Sequence, residues 1–125
     1  FSSLGDQMRF ALVHRSARDR RDARAAQEVR VRFLAPARRD LADATAYYDD
    51  QMSGLGIQFL DEVRAAIDRM RAFPLAWQPL SQRTRRCLLN RFPYGVIYEQ
   101  RKDEIVIVAV GHQHRHPDFW KPRAR

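Results

Sequence analysis

Apolar and polar residues alternate strictly where the patterned part of the chain begins. In the run 29–34, Val29, Val31 and Phe33 fall on one side and two arginines fall on the other. This period of two is typical of a β-strand with one buried side. We therefore expect a strand here whose apolar side faces a core.

Two stretches with helical periodicity follow. Between Pro36 and Asp50 the apolar residues recur at steps of three and four, and a proline is well tolerated in a first helical turn. A second helix is expected from Leu55 to a stop at Pro74, with glycines on both sides of Leu55 marking a tight connection. Its apolar positions are Phe59, Leu60, Val63, Ala66, Ile67, Met70 and Phe73. The pattern predicts an antiparallel helical hairpin.

Three β-rich runs, 84–89, 94–100 and 105–110, complete the chain, and a loop is expected at 75–83. The connections between the runs are short and polar, which indicates hairpins. The run 105–110 is apolar at every position, so it should be a central strand that is covered on both faces. The order β-α-α-β-β-β predicts an α+β fold in which a helical hairpin packs on an antiparallel-dominated sheet.

Composition narrows the possible partners. The chain has 125 residues, enough for one ordinary domain, and a formal net charge of +8. Of its 23 basic residues only Lys102 and Lys121 are lysines. Arginine binds phosphate and carboxylate groups through a planar fork, which favours a polyanionic partner. A second interpretation, that the arginines reflect coding bias and solubility, stays open.

The first 28 residues differ from the rest. The stretch 16–27 consists mostly of Arg, Asp and Ala, and the chain begins with Phe. We expect residues 1–28 to be a basic N-terminal extension outside the domain at 29–125. It is either a disordered arm or an artefact of a gene start placed too far upstream.

Several classes of protein are disfavoured. The single cysteine, Cys87, rules out a disulfide within one chain. No run of 18 apolar residues exists, and the N-terminus lacks the apolar core of a signal peptide. A cytoplasmic protein with no membrane partner and no cofactor is expected.

A series of local strings, taken together and in order, resembles the RelE/ParE toxin superfamily. These strings are Pro36 to Leu41, Tyr47 to Gln51, Gly54 to Gly56 before Phe59 and Leu60, Arg85 and Arg86, Arg91 to Tyr98, and Ile105 to Trp120. The resemblance covers residues 29–125 and is closer to the ParE, or plasmid-stabilisation, branch.

The resemblance implies the toxin of a type II toxin–antitoxin system. Such a toxin is neutralised by a cognate antitoxin in a hetero-oligomer, and we expect an amphipathic, acidic antitoxin tail to wrap the sheet and the hairpin. RelE-like members cut mRNA on the ribosome, whereas ParE-like members inhibit gyrase. The fold alone does not choose between these activities.

RelE-type catalysis is poorly matched by the residues. The resemblance places catalytic groups on the second and third strands and after the last strand. Aligned on Tyr98 and Gly111, only Arg86 has the expected character. The other positions fall on Leu88, Gly95, Gln113 and Phe119. Phe119 has no hydroxyl group with which to exchange a proton, so RelE-type chemistry is in doubt.

Histidines offer a substitute. His112, His114 and His116 alternate just after the last strand, so they would share one face if the extended conformation continued. Imidazoles that titrate near neutrality are good general acids and bases. An RNA-cleaving site would combine them with Arg86, Arg91 and Arg115. A metal site is disfavoured because Pro117 interrupts the geometry, so none is assigned.

The leading hypothesis is a non-enzymatic ParE-like toxin with gyrase as its target. The alternatives are a ribosome-dependent mRNA endonuclease that uses Arg86, His112, His114 and Arg115, and an inactive chromosomal copy. Whether the chain is an enzyme stays open. The residues expected to contact the target or the antitoxin are Arg85, Arg86, Arg91, His112, His114, Arg115 and Trp120. Trp120 has a second interpretation, as an anchor that holds the C-terminal tail on the domain.

Overall fold

The computed structural model describes residues 29–124, and the predicted extension, residues 1–28, lies outside the described residues. The elements are β1 (Arg30–Phe33), α1 (Ala35–Gln51), α2 (Leu55–Ala72), β2 (Gln78–Pro79), β3 (Thr84–Leu88), β4 (Tyr94–Arg101), β5 (Glu104–His112) and a 3-10 turn (Lys121–Arg123). The predicted α+β order is confirmed, with one additional strand. Within the described range, no helix is both long and apolar enough to cross a membrane.

The additional strand is β2, and the prediction of an uninterrupted loop at 75–83 is wrong at these two positions. Gln78 and Pro79 pair antiparallel with Arg86 and Arg85 at the margin of the sheet. Proline is tolerated on an edge strand because the outer side needs no backbone donor. Two residues are too few to leave an alternating pattern in the sequence.

The sheet has the order β1-β5-β4-β3-β2, and among the described strands only β1 and β5 run parallel. β5 therefore lies between β1 and β4, and all six residues from Ile105 to Val110 are buried. This confirms the prediction of a central strand covered on both faces.

The two faces of the sheet are covered differently. The helical hairpin packs on one face, where Leu41, Phe59, Val63 and Tyr98 belong to the main core. On the other face a smaller cluster joins sheet residues to the C-terminal tail. Its buried members are Ile97, Val108, Ala109 and Trp120. The tail therefore acts as the second layer over part of the sheet.

The connection between the helices depends on glycine and on one carboxylate. Gly54 has a φ of 90°, a left-handed backbone conformation that residues other than glycine rarely adopt. A Cβ on Gly56 would lie 2.8 Å from the carbonyl oxygen of Thr45, so the helices approach closely there. Asp49 Oδ1 accepts the backbone N–H groups of both glycines, at 3.0 and 3.3 Å. These contacts fix the short connection between the two helices.

Tyr98 ties the core of the sheet to the segment that leaves α2. Its side chain is fully buried, and its hydroxyl donates a hydrogen bond of 2.5 Å to the carbonyl oxygen of Pro74. Burial raises the pKa of Tyr98 to about 12, while nearby Arg85 opposes the shift. The phenol is therefore held in its protonated, donating form.

We predict that Tyr98→Phe lowers the free energy of unfolding by about 1–2 kcal/mol at neutral pH, because Pro74 loses its donor. The pKa of Tyr98 is about 12 in the folded chain and 10.0 in the reference state. A raised pKa stabilises the fold below pH 10, and this contribution is lost between pH 10 and 12. Urea unfolding should therefore show that the difference in the free energy of unfolding between the parent and the variant narrows from pH 10 to pH 12. Tyr47→Phe, at a 56% exposed position, is the control and should match the parent.

Candidate functional site

The last strand ends at His112, and the chain then turns. His112 forms the final register pair of β5, with Tyr94. Its carbonyl accepts the N–H of Arg115 at 2.9 Å, and the N–H of Gln113 bonds to Pro93 O at 2.8 Å. The extended conformation does not continue through His116, so the condition under which the three histidines would share one face is not met. The physical reason is that β4 begins at Tyr94 and supplies no further strand partner.

Two of the three histidines remain together. The ring centroids of His112 and His114 are 5.2 Å apart, and Nδ1 of His112 accepts the backbone N–H of His114 at 3.1 Å. His116 uses its own Nδ1 to accept the N–H of Asp118 in the next turn. Among residues 29–124 no group of three His, Cys, Asp or Glu side chains is placed to hold a metal ion.

An unbroken row of rings leads from α1 to this turn, and we call it the aromatic row. It consists of Tyr47, Tyr48, Tyr94, His112 and His114, with successive ring centroids 5.2 to 5.9 Å apart. Burial raises the pKa of Tyr94, and the nearby Tyr47 and Asp40 raise it further, whereas Arg115 opposes them. Burial likewise raises the pKa of Tyr48. Both phenols therefore stay protonated at neutral pH, and the Tyr94 ring lies beside the His112 imidazole.

Asp40 connects α1 to β5 and to the C-terminal tail. β1 accompanies β5 only as far as Ile107, after which the chain enters α1. Asp40 Oδ2 accepts the N–H of Val110 at 3.1 Å, and Oδ2 also receives Nη1 of Arg123 at 2.6 Å. Arg123 donates in addition to Val108 O at 3.3 Å. The two side chains thus supply the bonds that a neighbouring strand would have supplied.

Arg115 and Phe119 complete this corner. The Arg115 guanidinium lies 4.0 Å from the centroid of the Phe119 ring, and its Nη1 is 3.6 Å from Asp40 Oδ1. The Phe119 ring rests directly on Gly111, where any Cβ would collide with it. Phe119, which stands where the resemblance places a catalytic tyrosine, therefore has a packing role in this fold.

Arg86 does not join the histidines. It pairs with Ile97, whose side chain belongs to the cluster under the tail, whereas His112 pairs with Tyr94 on the helical side. Side chains alternate between the faces of a strand, so Arg86 and His112 lie on opposite faces. Arg86 donates to Gln78 Oε1 at 2.7 Å, and its stem would collide with any Cβ at Gly95.

The remaining predicted arginines have separate partners. Nη1 of Arg85 donates to Trp77 O at 2.9 Å. Arg91 bonds to Glu62 of α2 but keeps 60% of its side chain exposed. Burial by itself would raise the pKa of Glu62, but hydrogen bonds from Arg91 and from the backbone of Asn90 outweigh it and lower the pKa. The Arg91 guanidinium is therefore anchored beside the β3–β4 turn with its charge open to solvent.

A family comparison matches residues 31–117 to the ParE toxin of type II toxin–antitoxin systems, parDE. The chain belongs to the ParE toxin family. This confirms the predicted membership of the RelE/ParE superfamily and its ParE branch. A solved structure of the chromosomal ParDE system from P. aeruginosa has the same fold, with a TM-score of 0.60 and 12% sequence identity over 68% of this chain and 96% of that chain. No curated protein matches this chain.

Trp120 of this ParE-family chain follows the matched region and is 4% exposed. Its Nε1 donates to Pro117 O at 2.9 Å, and its ring packs on the second face of the sheet. This is the anchoring arrangement, so contact with a partner would require the tail to leave the sheet. Asp40 had no distinguishing feature in the sequence, where it is one of several acidic residues on the polar side of α1.

We predict that Asp40→Asn lowers the free energy of unfolding by about 1–3 kcal/mol and loosens the tail, because the largely buried Arg123 loses its counter-charge. Hydrogen exchange should accelerate at Val110 and at Arg123, which are bonded through this corner. Asp43→Asn, an exposed substitution one turn later in α1, is the matched control and should leave exchange unchanged. Equal protection in both variants would contradict the role given to Asp40.

Proposed function

We propose that this ParE-family chain acts by binding an essential bacterial protein rather than by cutting RNA, with gyrase as the expected target. A cognate antitoxin would hold it inactive in the cytoplasm. The observation that carries the proposal is the separation of the candidate catalytic groups. Arg86 lies on one face of the sheet, and the pair His112 and His114 lies at the other.

A nuclease needs a base, an acid and cations converging on one phosphate. The cation nearest the histidines by sequence is Arg115, and it already interacts with Asp40 and the Phe119 ring. Phe119 offers no proton. The position that the resemblance assigns to a third-strand arginine is Gly95, where the Arg86 stem fills the space. This arrangement favours recognition over chemistry.

The aromatic row supports recognition of a protein surface. Tyr47 is 56% exposed, His114 is exposed, and Tyr48, Tyr94 and His112 are half-buried. Rings that are held by packing and still reach solvent lose little entropy on binding, and aromatic and arginine side chains dominate interface energetics. Arg91 and Arg115 lie at the same end of the molecule and add positive charge.

We predict that the purified chain inhibits DNA supercoiling by gyrase and that Arg91→Ala raises the concentration needed by about tenfold, since truncating an interface arginine costs on the order of 1–2 kcal/mol. Arg39→Ala removes an exposed arginine from the first half of α1 and serves as the control. Growth arrest by a chain that leaves gyrase untouched would point to a different target.

A second candidate function is a ribosome-dependent mRNA endonuclease. One observation favours it: the His112 and His114 rings are 5.2 Å apart, beside Tyr94, whose phenol stays protonated. An acid and a base could be supplied by such a pair.

Mapping of new mRNA 5′ ends after brief induction separates the two functions. We expect growth arrest without new ends in codon register, because the catalytic groups do not converge. Cuts in register that disappear in His112→Ala/His114→Ala, with the variant still folded, would establish the endonuclease and overturn the leading proposal.

A further inference from the structure

The segment that runs from the last residue of α2 through β2 exposes more apolar surface than a connection between elements requires. Residues 72–80 contain a single polar side chain, Gln78. We call this segment the apolar loop. Phe73 is 65% exposed and Leu75 is 68% exposed, the largest values among the large hydrophobic residues of the described range 29–124. Clustered apolar exposure of this kind marks interaction sites in soluble domains.

The apolar loop is held in place from beneath. The Tyr98 hydroxyl bonds to Pro74 O, between the two exposed side chains. Arg85 donates to Trp77 O at 2.9 Å, and the Trp77 ring lies 5.9 Å from the Arg69 guanidinium. Trp77 Nε1 in turn donates to Arg69 O at 3.4 Å.

Because the apolar loop is anchored, its exposed side chains are ordered before a partner binds. Phe73 and Leu75 flank Pro74, whose carbonyl oxygen is bonded to the buried Tyr98. Their side chains therefore cannot easily turn away from solvent into the core. A surface that is ordered before binding loses less conformational entropy when a partner arrives. The apolar loop thus combines the exposure and the order that a recognition surface needs.

The positive charge around the loop indicates an acidic partner. From Arg69 to Tyr98 the sequence contains no Asp or Glu. The arginines in this stretch are Arg69, Arg71, Arg83, Arg85, Arg86 and Arg91. Among the described residues, the salt bridges involve none of Arg83, Arg85 or Arg86. A second copy of the chain would bring arginines against arginines, which disfavours self-association.

We propose that the apolar loop is a docking surface for an acidic, amphipathic segment of the antitoxin. This inference rests on the proposed function, which makes the antitoxin the partner. The apolar side of that segment covers Phe73 and Leu75, and its carboxylates face the surrounding arginines. Of Arg83, Arg85 and Arg86, Arg83 is the most accessible, because it is exposed whereas the other two are half-buried against the sheet.

The test compares two pairs of exposed apolar residues in the full chain. Phe73→Ser/Leu75→Ser removes the apolar loop's side chains, and Met52→Ser/Ile57→Ser removes side chains of 56% and 64% exposure at the hairpin connection. The probe is the antitoxin encoded beside this chain, titrated by calorimetry. We expect the first pair to raise Kd at least tenfold and the second to leave Kd within twofold. Both variants should melt like the parent, because the substituted side chains are exposed.

A charge variant tests the second half of the proposal. Arg83→Glu should raise Kd by about tenfold and flatten the dependence of Kd on salt, whereas Arg39→Glu, with the same change in net charge, should do neither. Equal effects of the two reversals would overturn the charge argument.

Each remaining outcome is decisive. If the parent binds the antitoxin and Phe73→Ser/Leu75→Ser binds it equally well, the proposal that the apolar loop is the docking surface is wrong, while the proposed function stands. If the parent does not bind the antitoxin at all, the proposed function fails and the docking surface fails with it. If sedimentation shows a dimer of the parent that only this pair dissociates, with antitoxin binding unchanged, the loop is a contact between copies and the proposal is overturned.

Discussion

The Asp40 carboxylate resolves the main difficulty of this fold, the half of β5 that β1 does not reach. A strand that is buried on both faces and open along one side would leave backbone donors and acceptors without partners. Asp40 takes the N–H of Val110, and Arg123 takes the carbonyl of Val108. Because Asp40 and Arg123 also bond to each other, this closure joins α1, the central strand and the tail in a single corner.

The corner formed by Asp40 and Arg123 makes the two faces of the sheet differ in what covers them. The tail is pulled across the second face of the sheet, where Trp120 completes a small apolar cluster. The turn after β5 is left at the opposite face, where His112 and His114 extend the aromatic row that begins on α1. Rings and guanidinium groups gather there without a convergent acid, base and cation. That arrangement supports the proposal that the ParE-family chain acts by binding.

The apolar loop is a second surface that the core holds in place while its side chains stay exposed. Tyr98 and Arg85 reach it from within the domain and bond to its backbone rather than to its side chains. Backbone contacts of this kind order a loop while leaving its side chains free for a partner. Two recognition surfaces at separate places on one small domain would suit a toxin that has to engage both a target and an antitoxin.

The amino-acid sequence by itself determined the order and type of nearly all the elements, since periods of two and 3.6 record which side of each strand or helix is buried. It also determined the central position of β5, because apolar residues at every position require cover on both faces. The sequence did not reveal β2, which is too short to show a period, or the role of Asp40, whose partners lie 70 and 83 positions away. The grouping of the candidate site residues was also decided by tertiary structure alone. Strand register placed Arg86 and His112 on opposite faces, and a turn that depends on where β4 begins separated His116 from the other two histidines.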